Sequence, residues 1–213
     1  MITQDFYFEF AGMPKSGKTT IFDIVIHFLK RKGFSVGEYH GGGRFSPIDK
    51  SSLSSLNTYL AIKSVEFLLV NSEREKVQSK IFMMDRGIFD RCIFTHALNR
   101  MGKIDDKETQ AIMNFLTIPK HTDLIDTIFL FVTNPELSIQ REFKNKLIEK
   151  NGRVMNKSFL ELLRSVTLDE YQKSTRVSSN FYLVDTEKYD GRIIECAQMI
   201  TDKIMNKIGM CDD

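Results

Sequence analysis

Apolar residues recur along this chain in two alternating rhythms. Short, nearly unbroken apolar runs at Phe6-Tyr7-Phe8-Glu9-Phe10, about Phe34 to Glu38, Ile81-Phe82-Met83-Met84, Thr127 to Val132 and Phe181-Tyr182-Leu183-Val184-Asp185 read as strands. Between them, apolar positions three and four apart predict helices. These run over Thr20 to Leu29, Ser51 to Val70, Ile88 to Arg100, Asp105 to Leu116, Glu136 to Glu149, Phe159 to Tyr171 and Asp190 to Ile208. Thr127 to Val132 is the clearest strand, β-branched or aromatic almost throughout, as a strand buried on both faces should be. The alternation implies a parallel sheet covered by helices on both sides, an α/β fold of three layers.

The punctuation agrees with this layout. Arg31-Lys32-Gly33 ends the first helix with basic residues and a glycine cap. Asn134 can cap the helix after the fourth strand, and Pro135 suits its first turn. Pro119 interrupts the chain after Leu116, and the polar stretch Asn71 to Lys80 reads as an exposed helical continuation or a connecting loop. With 213 residues and 42% hydrophobic content, a single domain over 1–213 with a substantial core is expected.

The first strand runs into Gly12-Met13-Pro14-Lys15-Ser16-Gly17-Lys18-Thr19, which fits G-x-x-x-x-G-K-[ST] without a gap and opens a helix. Glycines at 12 and 17 permit positive φ and close backbone approach, so that N–H groups and the helix N-terminus can cradle a polyphosphate. Lys18 would reach the β and γ phosphates and the Thr19 hydroxyl would ligate Mg²⁺; Gly12, Lys15, Ser16, Gly17, Lys18, Thr19 and Thr20 form the expected ATP-binding set. An acid ending the third strand, Asp85, stands where a carboxylate would approach that metal. Beside it, Arg86 can clamp an acceptor phosphate or the γ phosphate in a bidentate way. The following helix carries Asp90, Arg91, Phe94 and His96, of which Arg91 and Phe94 are candidate substrate contacts; His96 is given no role.

Two further stretches bear on the site. Tyr39-His40-Gly41-Gly42-Gly43-Arg44 begins where a parallel strand ends, the edge at which open α/β sheets bind ligands. Its glycines read equally as a mobile turn or as close approach to a substrate, with Arg44 a candidate substrate contact. Arg141, Lys144 and Asn145 share a helical face, with Lys146, Lys150 and Arg153 near it, so a region at about 135–155 can act as a basic lid over a transferring phosphate.

Charge and cysteine content narrow the partners. Thirty basic against 28 acidic residues give a formal net charge of +2, so no global attraction to nucleic acid or an acidic membrane operates, and no broad basic stripe is visible. Cys92, Cys196 and Cys211 lack metal-ligand spacing, and their sparse odd number points to free thiols in a reducing compartment. The N-terminus enters a strand within a few residues, without a signal or membrane span, and a cytoplasmic protein is expected.

In this order of parts the chain resembles the nucleoside monophosphate kinase group of P-loop proteins, most closely the thymidylate kinase and deoxynucleoside kinase families. The resemblance rests on the phosphate loop at 12–19, on Asp85-Arg86 after the third strand, on the basic helix after Asn134-Pro135-Glu136, and on the helix from Phe159 to Tyr171. It implies a three-layer P-loop fold with a five-stranded parallel core and a helical lid. It further implies Mg-ATP as donor, a nucleoside or nucleotide as acceptor, and room for a homodimer. Carried over by position, Lys18 and Thr19 serve the donor phosphates and metal, Asp85 the metal or the acceptor hydroxyl, and Arg86 a phosphate. Arg141 or Lys144 supplies lid charge, and Glu38 matches the acidic residue that acts as base in deoxynucleoside kinases. Two stretches depart from the pattern. Glu38-Tyr39-His40-Gly41-Gly42-Gly43-Arg44 replaces the Arg-Glu-Pro-Gly-Gly usual in thymidylate kinases, and Gly87 follows Asp85-Arg86 where Ser, Tyr or Phe is usual.

The leading expectation is transfer of the ATP γ phosphate to a nucleoside monophosphate. The alternatives are a deoxynucleoside, other small-molecule or polynucleotide kinase, and a catalytically silent nucleotide-sensing module. A GTPase is disfavoured: Thr133-Asn134-Pro135-Glu136 stands where Asn-Lys-x-Asp belongs, and Asp85-Arg86-Gly87 is one residue short of Asp-x-x-Gly.

Overall fold

The structure, a computed structural model, describes residues 4–43, 46–75, 78–144, 155–175 and 180–209. Five strands form one parallel sheet in the order β2-β3-β1-β4-β5: β1 Phe6–Gly12, β2 Val36–His40, β3 Ile81–Asp85, β4 Thr127–Val132 and β5 Phe181–Asp185. The connecting helices are α1 Lys18–Arg31, α2 Leu53–Ser72, α3 Ile88–Arg100, α4 Asp106–Leu116, the single turn α5 Pro119–Thr122, α6 Pro135–Lys144, α7 Lys157–Thr175 and α8 Ile193–Lys207, with a 3-10 turn at Thr186–Tyr189.

Strand alternation divides the core in two. Tyr7, Ala11, Phe82, Met84, Ile128 and Leu130 pack under α2, α3 and α7. Phe8, Phe10, Met83, Phe129 and Phe131 point the other way, toward α1 and α8. Because β1 and β4 are covered on both faces, every residue of β4 is buried. The register pairs Phe10 with Asp85, His40 with Asp85 and Gly12 with Phe131. The C-terminal ends of the strands therefore meet at one edge, with the loop after β1 at its centre.

Several boundaries differ from the sequence expectation for local reasons. The second strand starts at Val36 rather than near Phe34, because the Phe34 N–H still closes the C-terminus of α1 by bonding Leu29 O at 3.1 Å. Of the described residues in the polar stretch from Asn71 to Lys80, Asn71 and Ser72 close α2 and the others are not helical. Pro119 begins a short turn of helix instead of merely breaking one. Asp105 caps α4 by accepting from the Glu108 N–H at 2.7 Å, and Asn156 does the same for Phe159 at 2.9 Å, so α7 starts earlier than the apolar spacing suggests. The last helix begins at Ile193, three residues after Asp190. The helix expected over Glu136 to Glu149 is described as far as Lys144. Asn145, Lys146, Lys150 and Arg153, hence most of the expected lid, lie outside the described residues, as do Arg44 and Cys211. Cys92 and Cys196 are free and buried. Among the described residues no helix is long and apolar enough to cross a membrane.

Candidate active site

The loop between β1 and α1 wraps the sheet edge. Gly12 and Gly17 take the positive φ values of 111° and 84° that their positions predict, and Lys15 joins them at 54°. A Cβ on Gly12 would lie 2.3 Å from Phe131 O, so close packing against β4 also requires glycine there. Ser16 Oγ donates to Met13 O at 2.8 Å, and Lys18 Nζ reaches the same carbonyl at 3.3 Å. The Lys18 side chain is buried, and burial pulls its pKa down to about 8; Arg86 adds to this, while Asp85 and Asp90 oppose it. An incoming polyphosphate would supply the counter-charge this ammonium lacks.

Thr19 Oγ1 donates to Asp85 Oδ2 at 2.8 Å, joining α1 to the end of β3. Asp85 is buried, and its Oδ1 has no hydrogen-bond partner. A hydroxyl against a carboxylate with one orphaned oxygen fits a Mg²⁺ ion that keeps waters and substrate phosphates as its other ligands. No cluster of three or more His, Cys, Asp or Glu exists among the described residues. Thr19, Thr20, Lys15, Asp85 and Arg86 line a cleft of about 680 Å³ over the loop, which extends to Thr186, Tyr189 and Gly191.

Helix α6 closes one side of the cleft. Ser138 Oγ bonds Pro14 O at 3.1 Å, and Glu142 pairs with Lys15 Nζ at 2.8 Å. Arg141 reaches Lys15 O and Thr186 Oγ1 at 3.4 Å each and Asp190 at 2.9 Å. Arg141 is thus brought to the donor side of the loop, whereas Lys144 is exposed and does not line the cleft.

Arg86 follows Asp85 in an unusual backbone conformation, φ 72°, and its Nη1 contacts Gly12 O at 3.3 Å and both Asp90 oxygens at 3.2 and 3.1 Å. Asp90 and Asp85 outweigh burial and hold its guanidinium pKa above the ordinary value. Arg91 is also buried, pairs with Asp90 and lies over the Phe94 ring at 4.8 Å; Arg86 lies over the same ring at 5.4 Å. Phe94 therefore supports two guanidinium groups.

Glu38, expected as a base, is not brought to these residues. Its carboxylate pairs with Lys30 of α1 and faces His40 at 3.6 Å, and it is absent from the walls of the cleft. The correction follows from the strand's true register. With β2 running to His40, Glu38 lies two residues short of the sheet edge on the α1 side, and His40, paired with Asp85, occupies the edge. The first of the three glycines also acquires a specific meaning. Gly41 N–H bonds Asp85 O at 2.8 Å, and a Cβ there would stand 2.1 Å from Arg86 O. Close approach at Gly41 is thus made to the Asp85-Arg86 backbone, while Gly42 and Gly43 line the cleft.

Glu9 received no role from the sequence, although a lone acid inside an aromatic strand was a visible signal. Fully buried, it accepts from the Asp90 N–H at 2.8 Å and the Phe89 N–H at 3.1 Å, capping α3 from the sheet below. This explains Gly87: a Cβ there would lie 2.7 Å from Glu9 Oε2 and 2.9 Å from Met84 Cε. Gly87→Ala should lower stability by about 1–3 kcal/mol through this overpacking, read as a lower denaturation midpoint. An unchanged midpoint would mean Glu9 does not occupy that space.

Burial pushes the Glu9 carboxyl up to about 8, with Asp90 adding to the rise and the two backbone N–H groups and Arg91 opposing it. The folded chain then keeps a proton that the unfolded chain releases above its ordinary value near 4.5, so stability from this group falls as pH rises from about 5 to 8. Glu9→Gln should remove that decline, worth at most about 1.4 kcal/mol per pH unit. Denaturant titrations of both proteins across this range test it, and parallel pH dependences would refute it.

The parallel sheet, the helices on both faces and the phosphate loop at the central strand constitute the fold of P-loop nucleoside and nucleotide kinases. Three solved structures with this fold are of deoxyadenosine kinase from M. mycoides. With the products dCMP and a flexible dCDP bound, it aligns at a TM-score of 0.69 and 15% identity over 94% of this chain and 99% of that one. Its dCTP complex gives 0.62 and 16% identity over 94% and 99%, and its dATP complex 0.60 and 16% over 93% and 98%. No protein-family model and no curated protein matches the sequence.

Proposed function

We propose that this chain is an ATP-dependent phosphotransferase that phosphorylates a hydroxyl of a nucleoside. The carrying observation is the meeting, at one sheet edge, of buried Lys18, the Thr19–Asp85 pair and Arg86. Lys18 and the loop N–H groups hold the β and γ phosphates of the donor. Thr19 and Asp85 would hold Mg²⁺, which neutralises phosphate charge when bound. Arg86 faces the transferring group from the acceptor side, and Arg141 neutralises the donor side. Transfer joins the acceptor oxygen to the γ phosphorus and breaks its bond to the bridging oxygen, leaving ADP. In a loose transition state the hydroxyl proton leaves late, to water, so placement contributes more than a dedicated base.

The acceptor is read from charge. Both arginines of the Asp85-to-Arg91 segment are tied to Asp90, and Arg91 is buried. Asp90 thus offsets one of the two guanidinium charges and leaves one positive charge at this edge, which the transferring γ phosphate takes up, whereas an uncharged nucleoside acceptor needs no further cation. The fold shared with deoxyadenosine kinases supports the same acceptor class. A cytoplasmic location, ATP as donor and a homodimer belong to this reading as expectations.

The test is transfer of labelled γ phosphate from Mg-ATP to nucleosides, nucleoside monophosphates and 5′-hydroxyl oligonucleotides. A labelled monophosphate supports the proposal; a labelled diphosphate would move the assignment to a monophosphate kinase, and a labelled oligonucleotide to an end kinase. Nucleotide binding with no transfer to any acceptor would favour the sensing module.

A further inference from the structure

We propose that Asp90 is a positioning residue for phosphoryl transfer, whose buried carboxylate registers Arg86 against the phosphate loop and is itself set in place by Glu9. Asp90 is fully buried, yet one oxygen accepts from the Gly12 N–H at 2.8 Å while both accept from Arg86 and Arg91 binds from the side. Gly12 is engaged twice, since its carbonyl receives Arg86 Nη1 at 3.3 Å. The first residue of the donor loop and the arginine of the acceptor side are thus bolted together through one side chain. No other described contact links Arg86 to the loop by a charged group.

The carboxylate has to sit where it does because of the strand beneath it. Glu9 takes the N–H groups of Phe89 and Asp90, which pins the first turn of α3, and Gly87 leaves room for the Glu9 carboxylate. Burial works to raise the Asp90 pKa, but Arg86, Arg91, Lys18 and the Gly12 N–H together outweigh it, so the group stays ionised. The backbone of Arg86, at φ 72°, is a conformation that surrounding contacts must hold. Three anchors hold it: the Arg86 N–H to Phe10 O at 2.9 Å, the close packing of Gly41 on its carbonyl, and Asp90 on its guanidinium. Of the groups that meet the guanidinium, Gly12 O and the Phe94 ring are neutral, and Asp90 supplies the countercharge that fixes the end of the side chain that would touch the transferring phosphate.

This inference rests on the kinase reading above and predicts a particular kinetic pattern. Asp90→Asn keeps the shape and one acceptor oxygen for Gly12 but gives up the charge that aims Arg86. It should lower kcat by about 100-fold, the scale of an ångström-sized misplacement, while the KM for Mg-ATP changes little. In an Arg86→Ala background the same substitution should change kcat by less than about 3-fold, because its route of action is gone. Glu9→Gln should show a smaller loss that likewise disappears in that background, and it provides the test if Asp90→Asn fails to fold. Losses that multiply in the double variants, or a purely raised KM for Mg-ATP, would overturn the positioning role while leaving the kinase reading standing. Absence of transfer by the wild-type chain to every acceptor would overturn the kinase reading and this inference with it.

Discussion

Lys18→Ala should all but abolish phosphate transfer while leaving the fold intact or slightly more stable. The ammonium is 4% exposed, and among the described residues its hydrogen bond goes to the Met13 carbonyl at 3.3 Å. Burial depresses its pKa to about 8, so the charge is held in the loop at a cost in desolvation. That cost is recovered when the β and γ phosphates arrive, and most fully in the transition state, where charge spreads over the transferring oxygens. Removing such a group costs about 3–4 kcal/mol, at least a few hundredfold in kcat. Replacing a desolvated cation with a methyl group relieves the fold rather than burdening it. The check is γ-phosphate transfer alongside a thermal melt. Near-normal turnover would remove the phosphate loop from the mechanism, and a collapsed melting transition would show that Lys18 is structural.

Arg86→Ala should reduce kcat/KM for the true acceptor by about 30- to 1000-fold, the 2–4 kcal/mol expected for losing a donor aimed at developing charge. Its guanidinium is held by Asp90 and Gly12 O and rests over Phe94, so little rotamer freedom remains to be lost on binding. Arg86→Lys should rescue little, since Nη1 alone meets both Asp90 oxygens and Gly12 O, and an ammonium spent on those three acceptors has no second nitrogen left for a phosphate, as the planar guanidinium has. Stability should fall as well, because Asp90 would keep only Arg91 and the Gly12 N–H as partners in a dry site. An unchanged kcat/KM, measured with the acceptor that the transfer panel identifies, would place Arg86 outside the site.

Two features that looked like departures from the family pattern turn out to be steric consequences of neighbours. Gly87 accommodates Glu9, and Gly41 accommodates the Arg86 carbonyl. Neither could be read along the chain, because Glu9 and Gly87 are 78 residues apart and meet only when β1 and β3 pair. The same holds for Asp90. On the helix it is one polar residue among several, and its role depends on the Gly12 N–H and on Arg86 curling back onto α3.

By itself the sequence determined the alternation of strands and helices, the glycine loop between the first strand and helix and the placement of an acid and an arginine after the third strand. These are local matters: two-residue and three-to-four-residue periodicities report burial directly, and the phosphate loop is contiguous because consecutive backbone N–H groups make it. Tertiary structure alone decided which side chains face one another across the sheet edge. Because β2 runs on to His40, two residues past the expected end, Glu38 stands back from the sheet edge and pairs with Lys30, since position along a strand sets the distance from that edge. Strand pairing also turned an isolated acid in an aromatic strand into the cap of α3, and one aspartate on that helix into the link between the Gly12 loop and Arg86. Those contacts join residues far apart in the chain, and no local pattern encodes them.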